Sequence, residues 1–331
     1  MILWTHDRWR FPLPANNRFP IEKYTLLRER VEGDGVDVRE AEPVPWEWLA
    51  AVHDRELLER IRTGALSVRE QRGLGIPWSA QLVERGRRSV GGTVEAARLA
   101  VERGIGMNLG GGTHHAGRAF ARGYCLFNDV AVALERLRAE TGLRRALVVD
   151  CDVHQGDGTA DLLGADPECF TLSLHGARNY PWKSVSSSVL ASSEKSVSSS
   201  VLATSDVGRR YTSDLDVDLP SGTGDDAYLS ALTGALDRAI PAARAELAFY
   251  LAGADPWHGD RLGRLALTKA GLLARDELVL DRLLATGAAV CVVLAGGYAE
   301  DVRDTVDINA ATVGAVTRRS VERSEMPMNR G

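Results

Sequence analysis

Apolar and polar residues follow two different periods along the chain, and these periods predict strands and helices in turn. Short, largely apolar runs are typical of strands buried in a sheet, and they lie at 1–5, 105–109, 146–149, 170–175, 247–252 and 289–294. The run at 214–219 alternates polar and apolar residues, as a half-buried strand does. Apolar positions with helical spacing lie at 23–32, 54–62, 79–103, 128–141, 225–245, 269–287 and 304–318.

Residues that cap helices support these boundaries. Asp54, Ser79 and Asn128 stand at predicted N-termini, and Gly104 stands at a predicted C-terminus. Because strand and helix patterns alternate through most of the chain, we expect an α/β fold. It would be a single domain over 1–320, with a central, mostly parallel sheet covered by helices on both faces. The polar stretch 321–331 is predicted to be a frayed tail.

The composition excludes several classes of protein. The 331 residues are 44% hydrophobic and 26% charged, as in an ordinary globular protein, and the net charge of −5 argues against binding to nucleic acid or to an anionic membrane. The sequence has no apolar run of membrane-spanning length and no signal-peptide pattern, so we expect a cytoplasmic protein. The four cysteines show no CxxC pairing and are expected to be reduced and buried.

One segment does not follow the alternation of strands and helices. The twelve residues KSVSSSVLASSE at 183–194 are repeated almost unchanged as KSVSSSVLATSD at 195–206. Two short copies are too few for a solenoid, and the serine-rich composition favours a flexible insertion. A short hairpin is the alternative. We expect that deleting the second copy changes the melting temperature by no more than about two degrees.

The most informative stretch is ALVVDCDVHQGDG at 146–158, where a buried strand is followed by three polar residues spaced by two. Asp150, Asp152 and His154 would share one face if the chain stayed extended, and the following Gly-Asp-Gly predicts a turn. Two carboxylates and an imidazole suit Zn²⁺ or another divalent ion with one position open to water. An acidic loop after a core strand is the alternative.

Three other predicted strands end in residues that could act in the same chemistry. The strand at 105–109 leads to His114 and His115, and the two later strands lead to Asp255 and Tyr298. In a parallel sheet such ends lie at one edge, so Asp255 could be a third metal ligand. The histidines could then serve as acid and base, oriented by Asp150 and Asp157, and Tyr298 could donate a hydrogen bond to an oxyanion. Together these groups fit metal-assisted hydrolysis of an amide. Taken alone, the tandem histidines could also be structural.

Four segments resemble motifs of the histone deacetylase family, which also includes acetoin-utilisation proteins and acetylpolyamine amidohydrolases. They occur in the family's order and read GGGTHHAGRAFARGYCLFND, VVDCDVHQGDG, GADPWHGDRLG and AGGY. Gln155, where many members have a second histidine, resembles the class IV branch, as do the stretch RFPIEKYTLLRE and the AGGY form. The resemblance implies an arginase/deacetylase-like fold and a zinc-dependent hydrolase. Two features depart from the family: the insertion at 183–206 and the pair Trp257-His258 beside Asp255.

The resemblance also implies a role for each matching residue. It implies Zn²⁺ ligands at Asp152, His154 and Asp255, and catalytic roles for His114, His115, Asp150, Asp157 and Tyr298, with His115 as the general base. Substrate-contacting residues would be Gly123, Tyr124, Leu262, Gly296 and Gly297. A structural K⁺ would lie at Asp150, Ser173 and Leu174.

Three functions remain open from the sequence. The first is a zinc-dependent deacylase of acyl-lysine in a peptide or protein. The second is a hydrolase of small acetylated amines, acetylpolyamine-like, or an acetoin-utilisation-type hydrolase. The third, a silent reader of acyl groups, is disfavoured because the full catalytic set is present. Nucleic acid and membrane are not expected as partners.

Overall fold

The computed structural model describes residues 1–181 and 211–325, so the duplicated segment at 183–206 lies outside the described residues. The strands are β1 (Ile2–Thr5), β2 (Asp37–Glu40), β3 (Ile105–Asn108), β4 (Ala146–Asp150), β5 (Cys169–Gly176), β6 (Leu215–Leu219), β7 (Leu247–Leu251) and β8 (Ala289–Val293). They form one sheet in the order β2-β1-β3-β8-β7-β4-β5-β6, and every pairing is parallel. The predicted α/β architecture is therefore confirmed.

The helices are α1 (Glu22–Gly33), α2 (Trp46–Ala50), α3 (Arg55–Thr63), α4 (Val68–Leu74), α5 (Ala80–Arg103), α6 (Asp129–Thr141), α7 (Asp157–Leu163), α8 (Asp225–Ala243), α9 (Lys269–Leu284) and α10 (Val302–Glu325). The predicted caps are confirmed. The side chains of Asp54, Ser79 and Asn128 each accept a backbone N–H hydrogen bond in the first turn of α3, α5 and α6. Gly104 ends α5 with φ of 90°, a left-handed conformation that glycine adopts without strain.

Both faces of the sheet are buried, as the helices on either side require. Along β7, Ala248 and Tyr250 belong to one core, while Phe249 and Leu251 belong to the core on the opposite face. All five residues of β4 and of β7 are buried, which explains why these strands read as continuous apolar runs. The four cysteines are buried and free of disulfides, as predicted.

Several elements differ from the prediction. Strand β2 was not predicted because it is a short edge strand of mostly exposed, charged residues, and such strands lack an apolar pattern. Helices α2, α4 and α7 are short and were also missed. Asp157, predicted to lie in a turn, begins α7. Helix α10 continues to Glu325, beyond the tail boundary expected at 321. In the two described ranges, no helix is both long enough and apolar enough to span a membrane.

Candidate active site

The four segments identified in the sequence meet at the carboxyl-terminal edge of the sheet. Strands β3, β8, β7 and β4 are neighbours in that order. The segments that follow them carry His114 and His115, Tyr298, Asp255, and the pair Asp152 and His154 respectively. Residues from distant parts of the sequence therefore share one site because their strands are adjacent.

Asp152, His154 and Asp255 form a compact, buried group. Their ligand atoms all lie within 4.8 Å of one another. Nδ1 of His154 is 3.0 Å from Oδ1 of Asp152 and 3.3 Å from Oδ2 of Asp255. The predicted convergence is present, but its predicted geometry was wrong. Strand β4 ends at Asp150 and the chain bends through Asp152 and His154, so the side chains of Asp150, Asp152 and His154 do not share one face of an extended strand.

Backbone N–H groups hold the two carboxylates in place. Gly296 N–H donates to Oδ2 of Asp152 at 2.7 Å, and Val153 N–H donates to Oδ1 of Asp255 at 2.9 Å. The close approach of Gly296 depends on its lack of a side chain, since a Cβ there would lie 1.9 Å from Oδ2 of Asp255. The ligand-bearing loops are thus tied to each other and to the loop after β8.

The chemistry of this group fits a divalent cation. Oδ2 of Asp255 is buried and accepts no hydrogen bond from the described residues. Burial and the neighbouring charge of Asp152 raise the pKa of Asp255 to about 7. Burial opposes a charged imidazole, but the hydrogen bond with Asp152 and the neighbouring charges of Asp152 and Asp255 raise the pKa of His154 to about 10. Both pKa shifts indicate that the two buried carboxylates need a positive charge between them. The group offers one nitrogen and two oxygen donors, which is a ligand set that Zn²⁺ accepts.

The tandem histidines each pair with the carboxylate predicted for them. Nδ1 of His114 donates to Oδ2 of Asp150 at 2.6 Å, and Nδ1 of His115 donates to Oδ1 of Asp157 at 2.5 Å. The ring centroids of the two histidines are 4.1 Å apart. Because each Nδ1 is engaged, Nε2 is the nitrogen of each ring that is left for the reaction, and Nε2 of His114 lies 3.7 Å from Oδ1 of Asp152.

The two imidazoles have opposite protonation preferences. Burial and the positive charge of His114 lower the pKa of His115 to about 4. Burial also acts against protonation of His114, but the charges of Asp150 and Asp152 outweigh it and raise its pKa to about 9. Near pH 7 His115 is therefore neutral and can accept a proton, whereas His114 carries a proton that it can donate.

Arg122 is a functional candidate that sequence reasoning missed. Its Nη2 donates to Oδ2 of Asp157, the same carboxylate that orients His115, and its guanidinium lies 4.1 Å from the ring centroid of Phe120. The side chain is mostly buried, so its charge acts on Asp157 with little screening. An arginine next to Gly123 has no distinctive spacing, so the sequence alone gave no signal for it.

Three further side chains position Tyr298, and one of them is Arg261, which donates from Nε to the Tyr298 carbonyl oxygen at 3.0 Å. The backbone N–H of Tyr298 donates to Oδ2 of Asp260 at 2.5 Å. Lys23, which is buried, donates from Nζ to the carbonyl oxygens of Ala295 and Gly297 at 3.4 Å each, and its Nζ lies 5.5 Å from the centre of the Tyr298 ring. Burial raises the pKa of the Tyr298 phenol well above its usual value, so the hydroxyl stays a hydrogen-bond donor.

A cavity of about 1310 Å³ leads to these groups and is called the active-site cavity below. Of the residues expected to contact substrate, Gly123, Tyr124, Leu262 and Gly296 line it. Gly297 does not line it and instead presents its carbonyl to Lys23. Gly123 has φ of 57°, and a Cβ there would lie 2.5 Å from the His115 ring, so glycine is required beside the histidine.

The residues expected at a K⁺ site lie next to one another across β4 and β5. Asp150 and Ser173 are partners in the sheet register, and Leu174 follows. Ser173 Oγ accepts a hydrogen bond from Gly156 N–H at 3.3 Å and contacts Nδ1 of His175 at 2.9 Å. Nε2 of His175 contacts Asp218, so both its ring nitrogens have structural partners.

Comparisons with known proteins identify a family for this chain. The histone deacetylase domain model matches residues 18–313. An uncharacterized protein from Picosynechococcus is 38% identical over 91% of this chain and 93% of its own length. The histone deacetylase-like amidohydrolase of Pseudomonas aeruginosa is 29% identical over 80% of this chain and 67% of its own.

The solved structures give the same fold. The crystal structure of a histone deacetylase homolog complexed with SAHA superposes with a TM-score of 0.74, at 22% identity, and covers 96% of this chain and 83% of the other. At that identity the likeness concerns the fold alone. The family match, however, spans residues 18–313, which is most of the chain. The chain therefore belongs to the histone deacetylase family of hydrolases.

Proposed function

We propose that this protein is a zinc-dependent amidohydrolase that removes acetyl or longer acyl groups from lysine side chains. One observation carries the proposal. The candidate metal ligands, two carboxylate–imidazole pairs of opposite protonation preference and the Tyr298 segment all lie at one cavity. This is the complement of groups that hydrolysis of an unactivated amide requires.

Asp152, His154 and Asp255 would hold the cation. When bound, a divalent ion of this kind supplies Lewis acidity toward a substrate carbonyl and toward water. The remaining chemistry belongs to the side chains around it.

His115 acts as the general base in the proposed reaction. Its neutral Nε2 accepts a proton from the water that attacks the acyl carbon, and Asp157 fixes the ring in the tautomer that leaves Nε2 free. The imidazolium that forms is stabilised by the Asp157 carboxylate. Protonated His114, oriented by Asp150, supplies the proton that the amine takes up as the C–N bond breaks. The products are a carboxylic acid and a free amine.

Tyr298 stabilises the oxygen that gains charge. Its hydroxyl stays protonated and donates a hydrogen bond that is stronger to the developing oxyanion than to the ground-state carbonyl. Lys23 and Asp260 hold the peptide group between Gly297 and Tyr298, so that the ring is positioned before substrate binds.

The cavity walls are compatible with a lysine side chain as the substrate amine. Gly123, Tyr124 and Leu262 line the passage to the histidines, and Tyr124 lies 5.7 Å from Tyr298 between ring centroids. Aromatic and aliphatic walls suit an unbranched alkyl chain. By register, Asp150, Ser173 and Leu174 are the proposed site for a structural K⁺ behind His114.

The test measures kcat/KM of the zinc-loaded protein on an acetyl-lysine peptide and on acetylputrescine. Both measurements are repeated with longer acyl groups in place of acetyl. Higher kcat/KM on the peptide supports the proposal. Turnover of acetylputrescine without turnover of any peptide would reject lysine as the substrate amine.

A further inference from the structure

Among the residues that the structure describes, the mouth of the active-site cavity carries exposed positive charge without matching negative charge. Three arginines that line the cavity are exposed, and they are called the rim arginines: Arg69, Arg178 and Arg264. They come from three separate segments, namely α4, the turn after β5 and the loop between β7 and α9. Because the three positive charges come from separate segments, they can lie on different sides of the opening.

The acidic residues of the cavity are already occupied. Of the residues that line it, Asp152 and Asp157 are buried at the inner end and engaged in the catalytic arrangement. Glu70 is at the rim, but it is bound by Arg60 at 2.8 Å. Within 1–181 and 211–325, no carboxylate pairs with any of the rim arginines. Their charge is therefore available to a ligand.

Two more arginines, which do not line the cavity, add positive charge close to one of its lining residues, Tyr124. Burial raises the pKa of Tyr124, whereas the positive charges of Arg18 and Arg261 act in the opposite direction. Both guanidinium groups are thus close enough to influence a residue of the substrate passage, and both side chains are exposed. This local positive charge contrasts with the net charge of −5 for the whole chain.

We propose that the rim arginines select acyl-lysine residues that are flanked by aspartate or glutamate. The inference rests on the proposed deacylase function and adds a substrate class to it. An acyl-lysine inside the cavity leaves the neighbouring residues of its peptide at the mouth, where carboxylates would meet the rim arginines. A lysine-rich segment or an acetylated polyamine would instead bring positive charge to the same place and be repelled. The exposed position of the arginines assigns them to flanking residues and not to the acyl group.

The preference should appear in KM because contacts outside the reacting amide are the same in the ground state and the transition state. We expect kcat/KM to be about tenfold higher for an acetyl-lysine peptide flanked by glutamate than for one flanked by lysine, with an alanine-flanked peptide between them. The ratio should shrink as salt is raised from about 0.05 M to about 0.5 M, since exposed charges are screened.

Charge reversal tests the assignment to particular residues. The double change Arg178→Glu and Arg264→Glu should abolish or invert the preference with little change in kcat. Arg238→Glu is the matched control, because Arg238 is an exposed arginine on α8 that does not line the cavity. It should leave the ratio unchanged.

Three further outcomes separate the rim from the reaction. Equal or better turnover of the lysine-flanked peptide overturns the rim proposal and leaves the deacylase function standing. If kcat/KM rises only for a succinyl-lysine peptide with flanking alanines, the positive charge serves the acyl group, and this result also overturns the rim proposal. Failure to deacylate any peptide rejects the lysine deacylase itself. In that case, binding of the labelled peptides to the Tyr298→Phe protein, measured by fluorescence anisotropy, still tests the rim, and equal affinity for the three peptides overturns it.

Discussion

Arg275 donates a hydrogen bond of 2.6 Å from Nη1 to the carbonyl oxygen of Gly253, two residues before the candidate ligand Asp255. The same Nη1 lies 3.3 Å from the carbonyl oxygen of Cys151, directly before Asp152. Arg275 is fully buried and is paired with Asp276 at 2.7 Å. The buried guanidinium of Arg275 therefore joins the two ligand-bearing loops from behind the site.

Replacing Arg275 with methionine should destabilise the protein by about 3–5 kcal/mol, because Asp276 would remain buried without its charge partner. Urea denaturation monitored by circular dichroism measures the loss. Arg238→Met, on the exposed side of α8, is the control and should change stability by less than about 0.5 kcal/mol. Equal stability of Arg275→Met and the wild type would contradict the structural role of the pair.

Gly296→Ala should fold but bind little zinc. The new Cβ would lie 1.9 Å from Oδ2 of Asp255 and 2.5 Å from Oδ2 of Asp152, so one or both carboxylates must move. Elemental analysis measures zinc per chain, and Asp255→Ala supplies the value for a site that lacks one ligand. Gly234→Ala, in α8 with no atom near its Cβ, is the control for the same chemical change. Full zinc occupancy in Gly296→Ala or in Asp255→Ala would remove these residues from the metal site.

Tyr298→Phe should retain the fold and the zinc content but lose about 10²–10³-fold in kcat, the usual effect of removing one oxyanion donor. Steady-state kinetics on an acetyl-lysine peptide measures the loss, and Tyr180→Phe, at another tyrosine of the cavity, is the comparison. If kcat of Tyr298→Phe lies within a factor of three of the wild-type value, the hydroxyl is not needed to stabilise the charge that develops on the carbonyl oxygen.

The pH dependence of kcat/KM should have two limbs. Activity should be lost as the pH falls through about 4, where His115 gains a proton, and lost again at high pH, where His114 releases one. Arg122→Met should move the acidic limb to higher pH, by about one unit. Without the guanidinium, the charge of Asp157 acts more strongly on His115 and favours its protonated form. An unchanged acidic limb, with zinc content verified at each pH, would exclude this influence of Arg122.

The buried imidazole of His53 should lower the free energy of unfolding as the pH falls below about 6.5. Burial lowers its pKa to about 4, its Nδ1 donates to the Gly117 carbonyl at 2.8 Å, and its Nε2 accepts from Asn128 N–H at 3.0 Å. Above pH 6.5 the imidazole is neutral in both the folded and the unfolded chain. Between pH 6.5 and about 4 only the unfolded chain takes up the proton, so stability falls with pH by about 3 kcal/mol in total.

His53→Gln keeps one donor and one acceptor but cannot titrate, so it isolates this contribution. The difference in unfolding free energy between the wild type and His53→Gln should shift in favour of glutamine as the pH is lowered from 7.5 to 4.5. Parallel pH profiles for the two proteins would show that His53 does not titrate differently on unfolding.

Local patterns predicted most of the fold, because seven of the strands carry an apolar or alternating pattern and the long helices have distinct caps. They could not show β2, whose exposed, charged residues resemble a loop. They also placed Asp152 and His154 in an extended strand, whereas hydrogen bonds from Gly296 and Val153 bend the chain there.

The residues around the catalytic groups were harder to predict because their partners are remote in sequence. Lys23 binds a carbonyl 274 residues away, and Arg122 binds a carboxylate 35 residues away. Spacing along the chain holds no information about such pairs. The motif residues were found because each follows its own strand, and the parallel order of the sheet then brings them together.

The sequence positions of the three candidate ligands predict an order for the maturation of the protein. Asp255 lies 102 residues after Val153, with which it shares a hydrogen bond, and it follows β7, which pairs with β4 along its full length. At a synthesis rate of about 5–20 residues per second, a growing chain carries Asp152 and His154 for about 5–20 seconds before Asp255 exists. During that interval the growing chain has only two of the three candidate metal ligands. The cation is therefore expected to enter only after β7 has been inserted between β4 and β8, as a late step in the biogenesis of the enzyme.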